Sequence, residues 1–356
     1  MSVVEGADLS AAAEELTWVR VAGYSLEKIH TGVLIHALTR GTAASKAVAA
    51  GLWECATKAA IDPASITTLS AVPEVSVGDG ANSVIDLLVS FTARDEVHWL
   101  GVEMKVDASP RREQLELLGK GVRAKKGAHH AMALLALGAA QVCRVERGLP
   151  PGVARLGVDD LLSLESSLLD AGDPAIVRPW LRELAFERAR RDGADDALDG
   201  SEARHGYRPR TRRAYQLALF ARRLELAGEK PWEVSIQSHN VIATSTASWR
   251  KIPGSTPPVY LYLELTDDGL CLKAGGWTGK VDPRVASAAI VPRALAALSA
   301  ADLKPTLGRR RQGQSATICK MPVWQHPNPV AGINVASATW EAEWRAFEAS
   351  LAPVEG

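Results

Sequence analysis

The sequence predicts an α/β fold, with a mixed central sheet flanked by helices and a C-terminal α+β extension. Segments with the apolar spacing of helices alternate with extended apolar segments in the order helix, three strands, helix, two strands, helix. The apolar run at 131–140 is continuous, which is typical of a strand buried on both faces. A segment rich in Asp, Gly and Ala at 191–206 predicts a linker between a core at 1–190 and an accessory region at 207–356.

The core is predicted to begin with helices. Within 14–39, Leu26, Ile29 and Val33 recur at spacings of three and four, and a glycine follows the segment. A second helix is expected at 43–60, directly before the polar segment DPAS. Two helices therefore precede the sheet.

Three extended segments come next. They read ITTLSAVPEVSV, SVIDLLVSFTA and VHWLGVEMKVD, and turn-rich GDGANS and polar ARDE separate them, as between neighbouring strands. The segment SPRREQLELLGKGVRAKK then opens with Ser-Pro and carries Leu115, Leu118 and Val122 on one face, which predicts a helix. The segment VARLGVDDLLSLESSLLDAG predicts a short strand that leads into another helix.

The accessory region is predicted to contain mostly strands. A basic helix is expected at about 211–227. The extended runs after it are WEVSIQSHNVIAT, PPVYLYLELTD, GLCLKAGGWT and SATICKMPV, and ASATWEAEWRAFEASL predicts a final helix.

The composition argues against several classes of protein. The 356 residues carry 41 basic and 41 acidic side chains, so only local clusters can indicate nucleic acid. The four cysteines form no Cys-x2-Cys pair, which argues against a zinc site or a dense disulfide framework. The longest apolar run has ten residues, too few to cross a bilayer, and the acidic N-terminal segment is unlike a signal peptide. A cytoplasmic protein with no membrane role is expected.

Three charged residues interrupt apolar strands. Asp86 lies within VIDLLV, and Glu103 and Lys105 lie within GVEMKVD. A charge inside a sheet covered by helices costs several kcal/mol unless it is paired or binds a metal. One explanation is a buried carboxylate–lysine ion pair that fixes strand register. The other is metal-dependent phosphodiester hydrolysis, in which carboxylates bind Mg²⁺, the metal activates water and a lysine stabilises developing charge.

The pattern resembles the PD-(D/E)XK nuclease superfamily. Its signature is an Asp on one strand and Glu-x-Lys on the next, with a Glu on a preceding helix. IDLLV and GVEMKVD match the second and third core strands, and Ile85 stands where the superfamily name has a proline. The resemblance implies a restriction-endonuclease-like αβββαβ core over about 20–170, and Mg²⁺ or Mn²⁺ as cofactor.

The resemblance also implies roles for single residues. Asp86 and Glu103 would be metal ligands together with the main-chain carbonyl of Met104, and Lys105 would be the catalytic lysine. The further members of this site would be Gln114 in REQLELL, Glu27 on the first helix and His30 on the next turn of that helix.

Two basic clusters indicate a track for a phosphate backbone, with DNA as the expected partner. Arginine is suited to bidentate phosphate contacts, and RHGYRPRTRRAY combines several arginines with two tyrosines. Ordinary solvated faces are the alternative. The candidate nucleic-acid contacts are Lys120, Arg123, Lys125, Lys126, Arg208, Arg210, Arg212 and Arg213.

Two other functions stay open at this point. The chain could be a non-catalytic nucleic-acid-binding or sensor module that keeps the nuclease fold, although intact Asp86, Glu103 and Lys105 argue against it. It could also be an assembly component or homo-oligomer that uses the six tryptophans between Trp232 and Trp344. Large aromatic residues are more often part of the core.

Overall fold

The computed structural model describes residues 17–24, 26–78, 84–108, 111–143, 145, 148–192, 217, 232–237, 240–245, 248–256, 258–266, 269–275, 288–307, 315–323 and 327–351. The chain divides into two compact units, Met1–Tyr215 and Gln216–Gly356, and each is described by itself. Most of the predicted linker at 191–206 and of the predicted basic helix at 211–227 lies outside the described residues.

The N-terminal unit contains a mixed sheet with helices. Its helices are α1 (Trp18–Ala22), α2 (Glu27–Leu38), α3 (Ala43–Thr57), α4 (Arg112–Arg123), α5 (Val158–Ser163), α6 (Glu165–Ala171) and α7 (Pro174–Asp192). Its strands are β1 (Ile66–Ser76), β2 (Val84–Ala93), β3 (Glu96–Val106), β4 (His129–Leu137) and β5 (Val153–Leu156). The strand order is β1-β2-β3-β4-β5, in which β1, β2 and β3 are antiparallel and β3, β4 and β5 are parallel. The predicted α/β class and mixed sheet are confirmed.

Helices cover both faces of this sheet. One core cluster joins the strands to α2, α3 and α7, and Leu34, Leu52 and Trp180 are fully buried in it. A second cluster joins the strands to α4 through Leu115 and Leu118. Successive residues of β4 belong alternately to these two clusters, so the strand is buried on both faces, as its continuous apolar run predicts.

The predicted single helix at 14–39 is wrong over part of its length. The described chain has a short α1, capped by Thr17, which accepts a hydrogen bond from the N–H of Arg20. Gly23 follows with φ +100°, in the region that favours glycine, and α2 begins only at Glu27. The glycine ends the first helix and lets a second one start in a new direction.

Gly101 sets the distance between α4 and β3. A Cβ at this position would lie 2.4 Å from Ile85 Cδ1 and 2.6 Å from Val122 Cγ2. Since interiors are close-packed, any larger residue would push α4 off the sheet. The glycine therefore lets α4 pack closely on β3 near Val122.

The C-terminal unit is an antiparallel sheet with helices. Its strands are β6 (Trp232–Gln237), β7 (Asn240–Ser245), β8 (Arg250–Lys251), β9 (Tyr260–Thr266), β10 (Gly269–Gly275), β11 (Thr306–Leu307) and β12 (Ser315–Met321), and its helices are α8 (Val291–Ala300) and α9 (Pro329–Leu351). The strand order is β11-β12-β10-β9-β7-β6, and β8 pairs with β9. The run WEVSIQSHNVIAT forms two paired strands, and α8 is a helix that was not predicted, because its apolar stripe is short and rich in alanine.

The tryptophans of this unit are mainly core residues where the structure describes them. Trp232, Trp340 and Trp344 are at most 2% exposed, and Trp249 is half-buried. The core interpretation of these three is confirmed, so they are not available to a protein partner. The other two tryptophans of this half, Trp277 and Trp324, lie outside the described residues.

No helix in the described part of the chain is both long enough and apolar enough to cross a membrane. The four cysteines are free thiols, and three of them are buried.

Candidate active site

The candidate site lies where β2 and β3 separate. The last residue pair between these strands is Leu87 with Val102, and β3 continues beyond it without a β2 partner. The alternation of β2 also breaks at this point, since Ile85 packs in the cluster on α4 whereas Leu87 packs in the opposite cluster. Asp86 lies at this irregularity, so its side chain is directed to neither core.

One carboxylate takes the place of the missing strand partner, and a second lies near it. The N–H of Met104 donates a 2.7 Å hydrogen bond to Asp86 Oδ2. Burial raises the pKa of the Glu27 carboxyl at the start of α2, while the nearby backbone N–H of Val106, two residues further along β3, favours its ionised form. The strand separation thus holds an acid from β2 and an acid from α2 at the same end of β3.

Glu103 is the buried centre of the site. It is 2% exposed, and its Oε1 accepts hydrogen bonds from Lys105 Nζ at 2.6 Å and from Gln114 Nε2 at 2.7 Å. Its Oε2 is buried and has no hydrogen-bond partner among the described residues. A buried carboxylate oxygen without a partner is costly, which indicates that a donor or cation belongs beside it.

The ammonium of Lys105 lies among these oxygens. Besides Glu103 Oε1, it contacts the main-chain carbonyl of Met104 at 2.8 Å and lies 3.6 Å from Glu27 Oε1. Its side chain is 14% exposed. Lys105 therefore touches two of the three groups that the sequence resemblance names as metal ligands.

The electrostatics of the site are set by burial and by an excess of carboxylates. Burial raises the pKa of Glu103 to about 7, and Asp86 and Glu27 add to this effect while Lys105 opposes it. Burial also raises the pKa of Glu27. For Lys105, burial opposes the charge, but the attraction of Glu103, Glu27 and Asp86 outweighs it and raises the pKa of the ammonium. Lys105 therefore stays protonated, but its single positive charge does not balance the charges of the three neighbouring carboxylates.

The donor set suits a hard divalent cation. Asp86 and Glu103 offer carboxylate oxygens and Met104 offers a carbonyl oxygen, which are the ligand types that Mg²⁺ and Mn²⁺ prefer. Among the described residues, no three His, Cys, Asp or Glu side chains are grouped so that they could hold a metal ion by themselves.

The structure does not place His30 with these acids. The ring is completely buried, its Nε2 lies 2.7 Å from the carbonyl of Tyr24, and its Nδ1 accepts a 3.0 Å hydrogen bond from Trp180 Nε1. This pairing requires a neutral ring with the proton on Nε2. The expectation that His30 faces the cleft is thus corrected: both ring nitrogens are used in the core, and a partner 150 residues away could not be read from the sequence.

Lys28 and Glu74 form a charged pair at the rim that the sequence did not assign to the site. Strand register places Glu74 between the pairs that flank Asp86, and its φ of +50° marks a local irregularity of β1. Lys28 Nζ binds Glu74 Oε1 at 2.6 Å, and the side chains are 84% and 58% exposed. The sequence alone does not show that Glu74 lies opposite Asp86, because this depends on the register of β1 on β2.

The basic residues near the site lie at the end of α4. Lys120, Arg123 and Lys126 are exposed and Lys125 is half-buried. In an α-helix, Lys120 and Arg123 lie about 9 and 14 Å along the axis from Gln114. The arginines of the second cluster, at 208–213, lie outside the described residues.

Comparison of the chain with protein-family models, with curated proteins and with solved structures finds no match.

Proposed function

We propose that the chain is a divalent-cation-dependent phosphodiesterase that hydrolyses nucleic acid, with DNA as its substrate. The observation that carries this proposal is the composition of the site. Three carboxylates, Asp86, Glu103 and Glu27, share one ammonium, Lys105, and a buried oxygen of Glu103 has no partner. This arrangement lacks positive charge, and a divalent cation would supply it.

A simple structural ion pair explains less of this geometry. The pair between Lys105 and Glu103 exists, at 2.6 Å, and would fix strand register on its own. It gives no reason for two further carboxylates to converge, because each added acid raises the cost of burying the first. The excess of acids therefore favours a cation site.

The residues of the chain would divide the chemistry as follows. Asp86, Glu103 and the carbonyl of Met104 would hold the cation, which lowers the pKa of bound water and stabilises charge on the phosphate. Gln114 orients the Glu103 carboxylate. Lys105 supplies a positive charge for the attacking water and the developing anion.

The order of elements also supports the proposal. From α2 to β4 the chain runs through two helices, three antiparallel strands, helix α4 and a strand parallel to β3. This order is compatible with the αβββαβ core that the resemblance to PD-(D/E)XK nucleases implies. The exposed basic residues at the C-terminal end of α4 offer a surface for the phosphate backbone, about 9 Å or more along the helix from Gln114.

The test is a cleavage assay on several substrates. The protein is incubated with plasmid, linear duplex, single-stranded DNA and RNA, each with Mg²⁺, with Mn²⁺ and with EDTA. The proposal expects cleavage of DNA with either cation and none in EDTA. Cleavage that persists in EDTA, or no cleavage of any substrate with either cation, would overturn it. Cleavage of RNA alone would retain the chemistry and correct the substrate.

A further inference from the structure

Lys105 occupies the space between two of the proposed cation ligands. Its ammonium lies 2.6 Å from Glu103 Oε1 and 2.8 Å from the carbonyl oxygen of Met104. These are hydrogen-bond distances, so each oxygen accepts a hydrogen bond from the ammonium. A divalent cation bound to the Met104 carbonyl and to the Glu103 carboxylate, whose Oε2 is unpartnered, would lie close to this ammonium and repel it.

A place for the displaced ammonium lies within reach. Glu27 Oε1 is 3.6 Å from Lys105 Nζ, close enough for an ion pair and longer than a hydrogen bond. The Glu27 side chain is 33% exposed, compared with 2% for Glu103. A lysine side chain has four rotatable bonds, so a shift of about 1 Å towards Glu27 is easily made.

We propose that Lys105 is a resident counter-ion at the cation position, and that Glu27 is the positioning residue that receives its ammonium when a cation binds. This inference rests on the proposed function. It gives Glu27 a role that does not require direct contact with the cation.

The physical reason is charge compensation. Without a counter-ion, a buried ionised Glu103 would be strongly destabilising, and Lys105 provides that counter-ion in the cation-free protein. With a divalent cation in place, the ammonium would be repelled from the same oxygens, and a second carboxylate nearby reduces the cost of moving it. Glu27 should therefore strengthen cation binding only while Lys105 carries a charge that has to move.

The test is a double-mutant cycle on Mn²⁺ binding, measured by calorimetry at pH 8 without nucleic acid. The proteins are the wild type, Lys105→Met, Glu27→Gln and the double variant, with Lys46→Met on α3 as a control for loss of one positive charge. Lys105→Met should bind Mn²⁺ about tenfold more tightly or better, since it removes a like charge. Glu27→Gln should weaken binding about fivefold in the wild type and less than about twofold in the Lys105→Met background.

The outcomes separate the possible roles of Glu27. Equal weakening by Glu27→Gln in both backgrounds would make Glu27 a direct ligand and overturn the inference, while the cation site and the proposed function would stand. No Mn²⁺ binding by any of the proteins would overturn the cation site itself, and the inference with it. Lys105→Gln, which keeps a donor towards Glu103 without the charge, replaces Lys105→Met if circular dichroism shows that variant to be unfolded.

Discussion

Gln114 Nε2 donates a hydrogen bond of 2.7 Å to Glu103 Oε1, and this bond ties helix α4 to strand β3 at the candidate site. The same oxygen accepts from Lys105, so two donors converge on Oε1 and leave Oε2 unpartnered. Gln114 therefore orients the carboxylate with one oxygen bound and the other available. Leu115, the next residue, is buried in the core and holds this turn of the helix in place.

Replacing Gln114 should lower activity without removing it. We expect Gln114→Ala to reduce the cleavage rate by about 10–100-fold, as for other residues that orient a ligand carboxylate. The melting temperature should change little, because Gln114 is half-buried and its side chain makes a single hydrogen bond in this site, to Glu103. Glu113→Ala, at the exposed neighbouring position, serves as the control. A Gln114→Ala rate equal to that of the control would show that the hydrogen bond has no role in catalysis.

Glu103→Gln should change how stability depends on pH when cations are absent. Burial raises the pKa of Glu103 to about 7, so between its ordinary value of 4.5 and about 7 the folded state binds more protons than the unfolded state. The free energy of unfolding of the wild type must then fall as pH rises through this window, by an amount of order 2 kcal/mol. Urea unfolding in EDTA from pH 4.5 to 8 measures this. A wild type and a Glu103→Gln variant with parallel pH profiles would contradict the raised pKa.

Divalent cations should raise the melting temperature. A ligand that binds only the folded state stabilises it by about 2.7 kcal/mol at a concentration 100 times Kd. Differential scanning calorimetry in EDTA and in millimolar Mn²⁺ should show an upward shift for the wild type. Asp86→Asn should lose this shift, whereas Glu54→Gln on the exposed face of α3 should keep it. Identical melting temperatures of the wild type in both solutions would argue against a cation site.

The two basic clusters can be separated by the salt dependence of DNA binding. One variant replaces Lys120, Arg123, Lys125 and Lys126 with Gln, and a second replaces Arg208, Arg210, Arg212 and Arg213. Both variants lose four positive charges, so each controls for the other. Each lost phosphate contact should make the slope of log K against log salt shallower by about 0.9 for duplex DNA.

Binding is measured by fluorescence anisotropy with Ca²⁺ in place of Mg²⁺. Because backbone contacts carry no sequence information, the affinity for all duplexes should fall to a similar extent. A variant with the wild-type slope would show that its cluster is a solvated surface. The first cluster is the one expected to contribute, since Lys120 and Arg123 lie on the helix that carries Gln114 and the other two lysines follow it directly.

The parts of the site that could be predicted from the sequence are those where a local pattern is broken. Asp86, Glu103 and Lys105 interrupt apolar strands, and such interruptions are visible without knowing the strand register. In the structure, Lys105 and Gln114 donate hydrogen bonds to Glu103. Glu27 Oε1 lies 3.6 Å from the ammonium of Lys105. The strands and the α4 helix that carry these residues could be predicted because their periodicities are strong.

The parts that could not be predicted depend on contacts between distant segments. His30 is bonded to Trp180, and no local pattern distinguishes a core histidine from one in a cleft. The position of Glu74 beside Asp86 follows from the register of β1 on β2. The irregularity of β2 at Asp86 is visible only because Ile85 and Leu87 pack in opposite core clusters, which are tertiary contacts.

Asp86, Glu103 and Lys105 are the three residues on which cation-dependent cleavage should depend most strongly. The most direct measurement is the rate of DNA cleavage in Mg²⁺ by Asp86→Asn, Glu103→Gln and Lys105→Met, with Glu54→Gln as the control and circular dichroism to confirm folding. We expect all three variants to stay folded and to lose cleavage by at least about 100-fold, because each removes a group that stabilises the transition state. Cleavage by folded Asp86→Asn or Glu103→Gln at the rate of the control would contradict it.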